Sequence, residues 1–187
     1  MGFRYILSGI TAGLILFLMG SPLVATVSGQ DGRTGYVNRT GVDWLTGNNG
    51  NSLRLQMTHA YQFTERFAAG IGSGYVFYRD PLNLVPVFVD VVYQLRDDGT
   101  TPFFQLRTGY SFSVLHERDL DPERHKGGPT LNPVFGLQVR NKSGTGFYLS
   151  TGFNLDTSQI EQEGFGGRIT KENISYRRLS LSFGLIF

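Results

Sequence analysis

The sequence predicts an all-β fold, an eight-stranded antiparallel up-and-down transmembrane β-barrel that follows a cleaved signal peptide. Three observations predict it. Segments along most of the chain alternate apolar and polar residues with period two, the period of a strand. The connections between them vary in length as a barrel with both termini on one side requires. Tyr and Phe gather near the segment ends.

The first 29 residues read as the signal peptide. Arg4 supplies a positive start, Tyr5 to Met19 an apolar core, and Gly20, Ser21 and Pro22 break it. The small residues that follow place cleavage after Ser28 or Gly29. That core is too short to anchor the chain across about 30 Å of hydrocarbon. Residues 30–187 then form one barrel domain. The formal net charge is +2 and there is no basic run, which argues against nucleic acid as a partner. The chain has no Cys, which excludes disulfides, thiolate metal sites and Cys nucleophiles.

The first strand is expected over Tyr36 to Gly47, with Val42 and Trp44 on one face and Asp43 on the other. Its alternation is poor from Asn38 to Gly41. Asn48-Asn49-Gly50-Asn51 has the composition of a turn. In the second strand, Ser52 to Phe63, Leu53, Leu55, Met57, Tyr61 and Phe63 alternate against Arg54, Gln56, Thr58, Ala60 and Gln62. His59 is the polar residue on its apolar face. Thr64-Glu65 turns tightly into the third strand, Arg66 to Tyr78, where Phe67, Ala69, Ile71, Tyr75 and Phe77 oppose Ala68, Gly70, Gly72 and Gly74. Glycines on one face let neighbouring groups fill a narrow interior.

Arg79 to Asn83 is a loop. The fourth strand, Leu84 to Arg96, sets Val85, Val87, Val89, Val91, Tyr93 and Leu95 against Phe88, Asp90, Val92 and Gln94. Asp97-Asp98-Gly99 is a hairpin turn. The fifth strand, Thr101 to Ser113, sets Phe104, Leu106, Tyr110 and Phe112 against Gln105, Arg107, Gly109 and Ser111. A long charged loop runs from Val114 to Gly128. The sixth strand, Pro129 to Asn141, sets Phe135, Leu137 and Val139 against Gly136, Gln138 and Arg140, and Lys142-Ser143-Gly144 turns it. The seventh, Gly146 to Asp156, sets Phe147, Leu149, Phe153 and Leu155 against Tyr148, Ser150, Gly152 and Asn154. A second long polar loop, Thr157 to Ile174, leads to the last strand, Tyr176 to Phe187. There Leu179, Leu181, Phe183, Leu185 and Phe187 oppose Arg178, Ser180, Ser182 and Gly184.

Each segment is long enough to cross a bilayer at a tilt, for which about 9–11 residues suffice. The even-to-odd connections are all tight, and the long ones follow strands five and seven, as short periplasmic turns and longer outer loops demand. Pro86, Pro102, Pro129 and Pro133 all fall near predicted strand ends, since a closed barrel has no free edge to hold a mid-strand proline. Tyr61, Phe63 and Phe67 mark one rim, and Tyr75, Phe77, Tyr110 and Phe112 the other. Period two alone does not say which face points outward, and a soluble lipocalin-type barrel would turn the apolar face in. The opposite face is rich in Gly, Gln, Ser and Arg, and the apolar face is nearly free of charge, which points the apolar face to lipid.

The run Val85-Pro86-Val87-Phe88-Val89-Asp90-Val91, Pro102-Phe103-Phe104 with Gly109-Tyr110-Ser111-Phe112, and the final strand resemble small barrels common in Bacteroidota, in the broad OmpA/OmpX-like class. The resemblance implies a place in the outer membrane of a Gram-negative envelope. It implies contact with outer-membrane lipid or lipopolysaccharide and with the barrel-assembly machinery. It also implies that Phe183, Leu185 and Phe187 act as an insertion signal.

An eight-stranded barrel is just wide enough for side chains to fill it. The expected lumen network is Asp43, Arg54, Gln56, Asp90, Gln105, Arg107, Gln138, Arg140 and Arg178, with Asp43 and Asp90 pairing some of the arginines. This reads as a polar plug in a barrel with a structural role or with loops for binding or adhesion to a protein or glycan. The alternatives are a lipid-modifying deacylase or acyltransferase, or a narrow pore, which the excess of inward Arg would bias towards anions. An enzyme needs a His with Ser and an acidic partner near the lipid interface. His116 and His125 lie among acidic residues of the first long loop, and His59 on the outward face, yet no catalytic set converges. Asp119, Asp121 and Glu123 alternate but lack the Gly and downstream Glu of a calcium loop, so no metal or other cofactor is expected. Gly164-Phe165-Gly166-Gly167 is a candidate for partner contact in the second loop.

Overall fold

The structure, a computed structural model, describes residues 34–47, 50–77, 82–97, 99–115, 124–164 and 168–187. The predicted signal peptide, His116 to Glu123 and Phe165 to Gly167 lie outside them. The strands are β1 (Gly35–Gly47), β2 (Gly50–Gln62), β3 (Phe67–Phe77), β4 (Leu82–Gln94), β5 (Thr100–Leu115), β6 (Arg124–Lys126), β7 (Gly128–Arg140), β8 (Gly146–Gly164) and β9 (Arg168–Ile186). Each long strand pairs antiparallel with its neighbour, and β9 pairs with both β8 and β1, so the sheet closes. Eight strands form the barrel, and β6 adds a short segment beside β8. The last residue completes the seam, where the Asn38 N–H donates to the Phe187 carbonyl at 2.6 Å and the Phe187 N–H donates back at 3.0 Å.

The alternation read from the sequence becomes an inside-out distribution of polarity. Leu181, Phe183 and Leu185 are each more than half exposed, whereas Asp43, Asp90, Asn154 and Gln138 are fully buried. A soluble barrel would show the reverse. Burying an uncompensated polar group is costly, so this arrangement fits a barrel whose outer surface faces an apolar solvent. The aromatic residues form ring clusters at both ends of that surface. Phe63 stands 5.1 Å from Tyr61 and 5.9 Å from Phe67 at the end bearing the tight turns. Tyr75 lies 4.7 Å from Phe77, and Tyr110 lies 5.0 Å from Phe112, at the other end.

Three expectations change. Where a second polar loop is expected from Thr157 to Ile174, β8 and β9 continue as a hairpin, paired from Thr157↔Ser175 to Gly164↔Arg168. At about 3.3 Å per residue, the eight residues beyond Asp156 reach about 25 Å past the rim. A hairpin outside the apolar band needs no apolar alternation, so period two gave no sign of it. The first long loop also gains structure, since β5 runs on to Leu115 and β6 pairs with Gln159 to Glu161 of β8. Lys126 stands opposite Gln159 and Thr130 opposite Asp156, which sets four steps on one strand against three on the other. That extra residue is a β-bulge around Gly127, whose carbonyl accepts from Tyr110 Oη at 2.7 Å.

Proline placement is the third change. Pro86 lies inside β4, where the pairing with β3 skips from Val87 to Leu84, and Pro133 lies inside β7, where the pairing with β8 is interrupted between Leu131 and Val134. A proline cannot donate to the ladder. The Asn132 side chain supplies a donor instead, with Nδ2 at 3.0 Å from the carbonyl of Phe153, the residue across from Pro133.

Candidate functional site: a closed polar lumen

The lumen is built in three layers. At the turn end, Val37, Ala68, Val92, Phe103, Tyr148 and Ile186 form a buried apolar cluster. Its bulk is possible because three facing positions are glycine. A Cβ on Gly41 or Gly184 would run into the Tyr148 ring, and one on Gly136 would meet Phe103 at 2.9 Å. Tyr148 and Phe103 meet edge to face, with centroids 6.2 Å apart, and the Arg39 guanidinium sits in the corner between them at 4.7 and 4.8 Å. At the loop end a smaller cluster, Leu45, Val76 and Leu84, closes the interior.

Between the two clusters lies the charged layer. Arg54 Nε donates to Asp43 Oδ2 at 2.7 Å, and Gln56 Nε2 donates to Asp43 Oδ1 at 2.9 Å. Arg54 also donates to Asn154 at 2.8 Å and to Asn132 at 3.0 Å. Arg107 donates to the same Asn132 oxygen and to Gln105 Oε1, each at 3.0 Å, with Asp43 at 3.7 Å. Gln105 Nε2 donates to both oxygens of Asp90 at 2.9 and 2.8 Å. Asn154 in turn bonds Asp156, which accepts from Thr130 at 2.6 Å. The chain of bonds therefore crosses the lumen and ties β1, β2, β4, β5, β7 and β8 together.

The sequence-predicted residues divide within this frame. Asp43, Arg54, Gln56, Asp90, Gln105 and Arg107 form the central network. Asp43 meets Arg54 and Arg107, whereas Asp90 is held by Gln105 rather than by ion pairing to an arginine. Gln138 lies below the network and accepts from Arg39 at 2.9 Å. Arg140 is half-buried at the turn-end mouth, bonded to Gln62 Oε1 and to the Gly144 carbonyl, each at 3.1 Å. Arg178 lies at the other mouth and donates to Ser52 Oγ at 2.7 Å. Phe183, Leu185 and Phe187 are exposed on the outer face.

Sequence reasoning missed Arg39, Asn132 and Asp156. Arg39 shares its parity with Asp43, but Gly41 between them and Asn38 beside it obscured the pattern. Asn38 faces outward yet is fully buried, its Nδ2 at 3.4 Å from His59 Nδ1 and its Oδ1 accepting from Thr40 at 2.8 Å. His59 also contacts Tyr36 Oη at 2.5 Å. His116 lies outside the described residues, and of His125 only the backbone in β6 is described. Outside the barrel wall, Asp97 pairs with Arg66 at 2.6 and 2.8 Å between adjacent turns and holds that guanidinium above its ordinary pKa.

No family model matches the chain, and no curated protein matches it in sequence. Solved structures do match. The outer membrane protein OprG from Pseudomonas aeruginosa superposes with a TM-score of 0.58 at 11% identity, over 84% of this chain and 98% of its own. Neisserial surface protein A superposes at 0.59 and 12% identity, over 81% and 94%. The outer membrane protein AlkL superposes at 0.54 and 13%, over 90% and 96%. The fold is that of a small outer-membrane β-barrel. In such a barrel the aromatic rims bracket the lipid-facing band, and the lumen residues lie across the membrane's thickness. At these identities the likeness speaks for architecture. Any activity must be argued from the lumen and the loops.

Proposed function

We propose that this chain is a non-conducting outer-membrane barrel that serves the envelope structurally and presents its long outer hairpin for binding or adhesion. The observation that carries this reading is the closure of the lumen. The charged layer is hydrogen-bonded across the interior, and Leu45 and Leu84 above it and Phe103 and Ile186 below it are fully buried. A filled lumen is a brace that sets register, since each bond joins strands far apart in sequence. The β8–β9 hairpin then supplies the surface for a partner, a protein, a glycan or lipopolysaccharide on the cell exterior. Export through the N-terminal signal peptide and assembly through Phe183, Leu185 and Phe187 complete the reading. The Bacteroidota type rests on the sequence motifs alone, and the matched structures with a stated source come from Pseudomonas and Neisseria.

The test is single-channel recording of the refolded protein in a planar bilayer, followed by mass-resolved analysis of the same lipid. Silence with unchanged lipid is the expected result. Steady conductance would show a path through the plug and overturn the structural reading. Altered acyl chains would replace it with a lipid-modifying activity.

A further inference from the structure

We infer that the lumen is an internal binding site for one small inorganic anion of the halide class, held by Arg39 and its neighbours at the turn end of the charged layer. Arg39 is buried, and its one hydrogen bond to the protein runs from Nη1 to Gln138 Oε1. Its Nε and Nη2 are buried without an acceptor, and so are Arg107 Nε and Gln138 Nε2. The Gln138 amide cannot be turned to help, because its oxygen is committed to Arg39. Against these four donors, the buried acceptor without a donor is Gln56 Oε1, and Asp43 fixes that amide by taking its nitrogen. The hydroxyls of Ser113, Ser150, Ser180 and Ser182 can donate or accept and do not change the balance.

Charge points the same way. Among the described residues, the charged layer and the turn end hold buried Arg39, Arg54 and Arg107 against buried Asp43 and Asp90, with half-buried Arg140 beyond them. Arg107 shares the buried interior with Arg39, and Asp90 has both oxygens occupied by Gln105. A buried cationic donor left without an acceptor is expensive. A water molecule would bring as many donors as acceptors and leave the surplus charge in place. An anion brings acceptors alone and cancels the charge. Among the packed rings of Phe103 and Tyr148, an ion of atomic size asks for less space than a phosphate or a carboxylate.

The protein refolded in detergent with sodium bromide and crystallised tests this directly by anomalous scattering. The expected result is a bromide peak inside the barrel beside Arg39 Nε and Nη2. Water density at that place, or bromide on the outer surface as an adventitious ion only, would overturn the inference. A second readout is the thermal unfolding midpoint in sodium chloride against sodium gluconate at equal ionic strength. Wild type is expected to gain about 2–4 °C in chloride, the shift that about 1 kcal/mol of linked binding gives a chain of this size, and Arg39→Gln to gain nothing. An equal gain in both proteins would overturn the site. If Arg39→Gln does not fold, the bromide crystal of the wild type decides alone.

Discussion

Asp43 is the residue on which the interior turns, because Arg54 and Gln56 donate to its carboxylate and the Arg107 guanidinium stands 3.7 Å from it. A buried ion pair is poor evidence of net stability, yet removing one partner strands the other charge. Asp43→Ala therefore costs about 3–5 kcal/mol. Urea unfolding in lipid vesicles measures it, with the fluorescence of Trp44, the single tryptophan, as the probe on the outer face. The double change Asp43→Ala with Arg54→Met costs less than Asp43→Ala alone, because the stranded cation is gone. A double variant weaker than the single one would show that the network is held by something other than this charge.

At the level of elements, the pairing of β7 has a weak point, as does that of β4 with β3 at Pro86. Pro133 interrupts its ladder with β8, and Asn132 spans the gap by bonding the Phe153 carbonyl while accepting from Arg54 and Arg107. One side chain thus repairs a backbone defect and anchors the lumen network. Asn132→Ala leaves a carbonyl and two guanidinium groups short of a partner, and a loss of about 2–4 kcal/mol is expected from two or more such deficits. Hydrogen exchange should localise the effect, with faster exchange in β7 and β8 than in β2 and β3. Uniform acceleration around the barrel would mean that the Pro133 gap is not repaired by this residue. The β8–β9 extension behaves differently, since its backbone pairing continues past the strands of the barrel that hold the lumen network. Replacing residues 158–174 with a short turn should leave the heat-modifiable band on a gel unchanged, and loss of that band would show that the hairpin is needed for closure.

For the whole molecule, the decisive property is that polarity is inverted, with charge inside and apolar surface outside. Leu181 is more than half exposed in mid-strand and faces the apolar band. Leu181→Arg costs about 2–4 kcal/mol if that band lies at midplane depth in a bilayer. Equilibrium folding into vesicles measures this directly. An unchanged folding free energy would mean that the surface does not meet hydrocarbon. The same inversion explains why closure of the lumen matters for function. On the proposed reading, a barrel whose interior is bonded across and filled at each end meets its partners at its loops.

How much of this was legible beforehand follows from the range of each interaction. Strand number, strand faces, turn parity and the aromatic rims depend on neighbours within a few residues, so they stand in the sequence as period two and connection length. The inward direction of Asp43, Arg54 and Asp90 was legible for the same reason. The partners of those residues were not. Arg54 meets Asn154 one hundred residues away, and Arg39 meets Gln138 across the lumen, because the stagger of the closed sheet brings them to one level. The bulge around Gly127 and the repaired gap at Pro133 rest on side-chain bonds from Tyr110 and Asn132, and the long hairpin on backbone pairing, none of which leaves an apolar period in the sequence. The sequence by itself determined that the chain forms a barrel with an apolar exterior, since the period-two alternation, the turn parity and the composition of the two faces together set that. Only the tertiary structure decided how side chains fill the lumen and which of their donors lack an acceptor, since closing the sheet fixes which side chains share the interior.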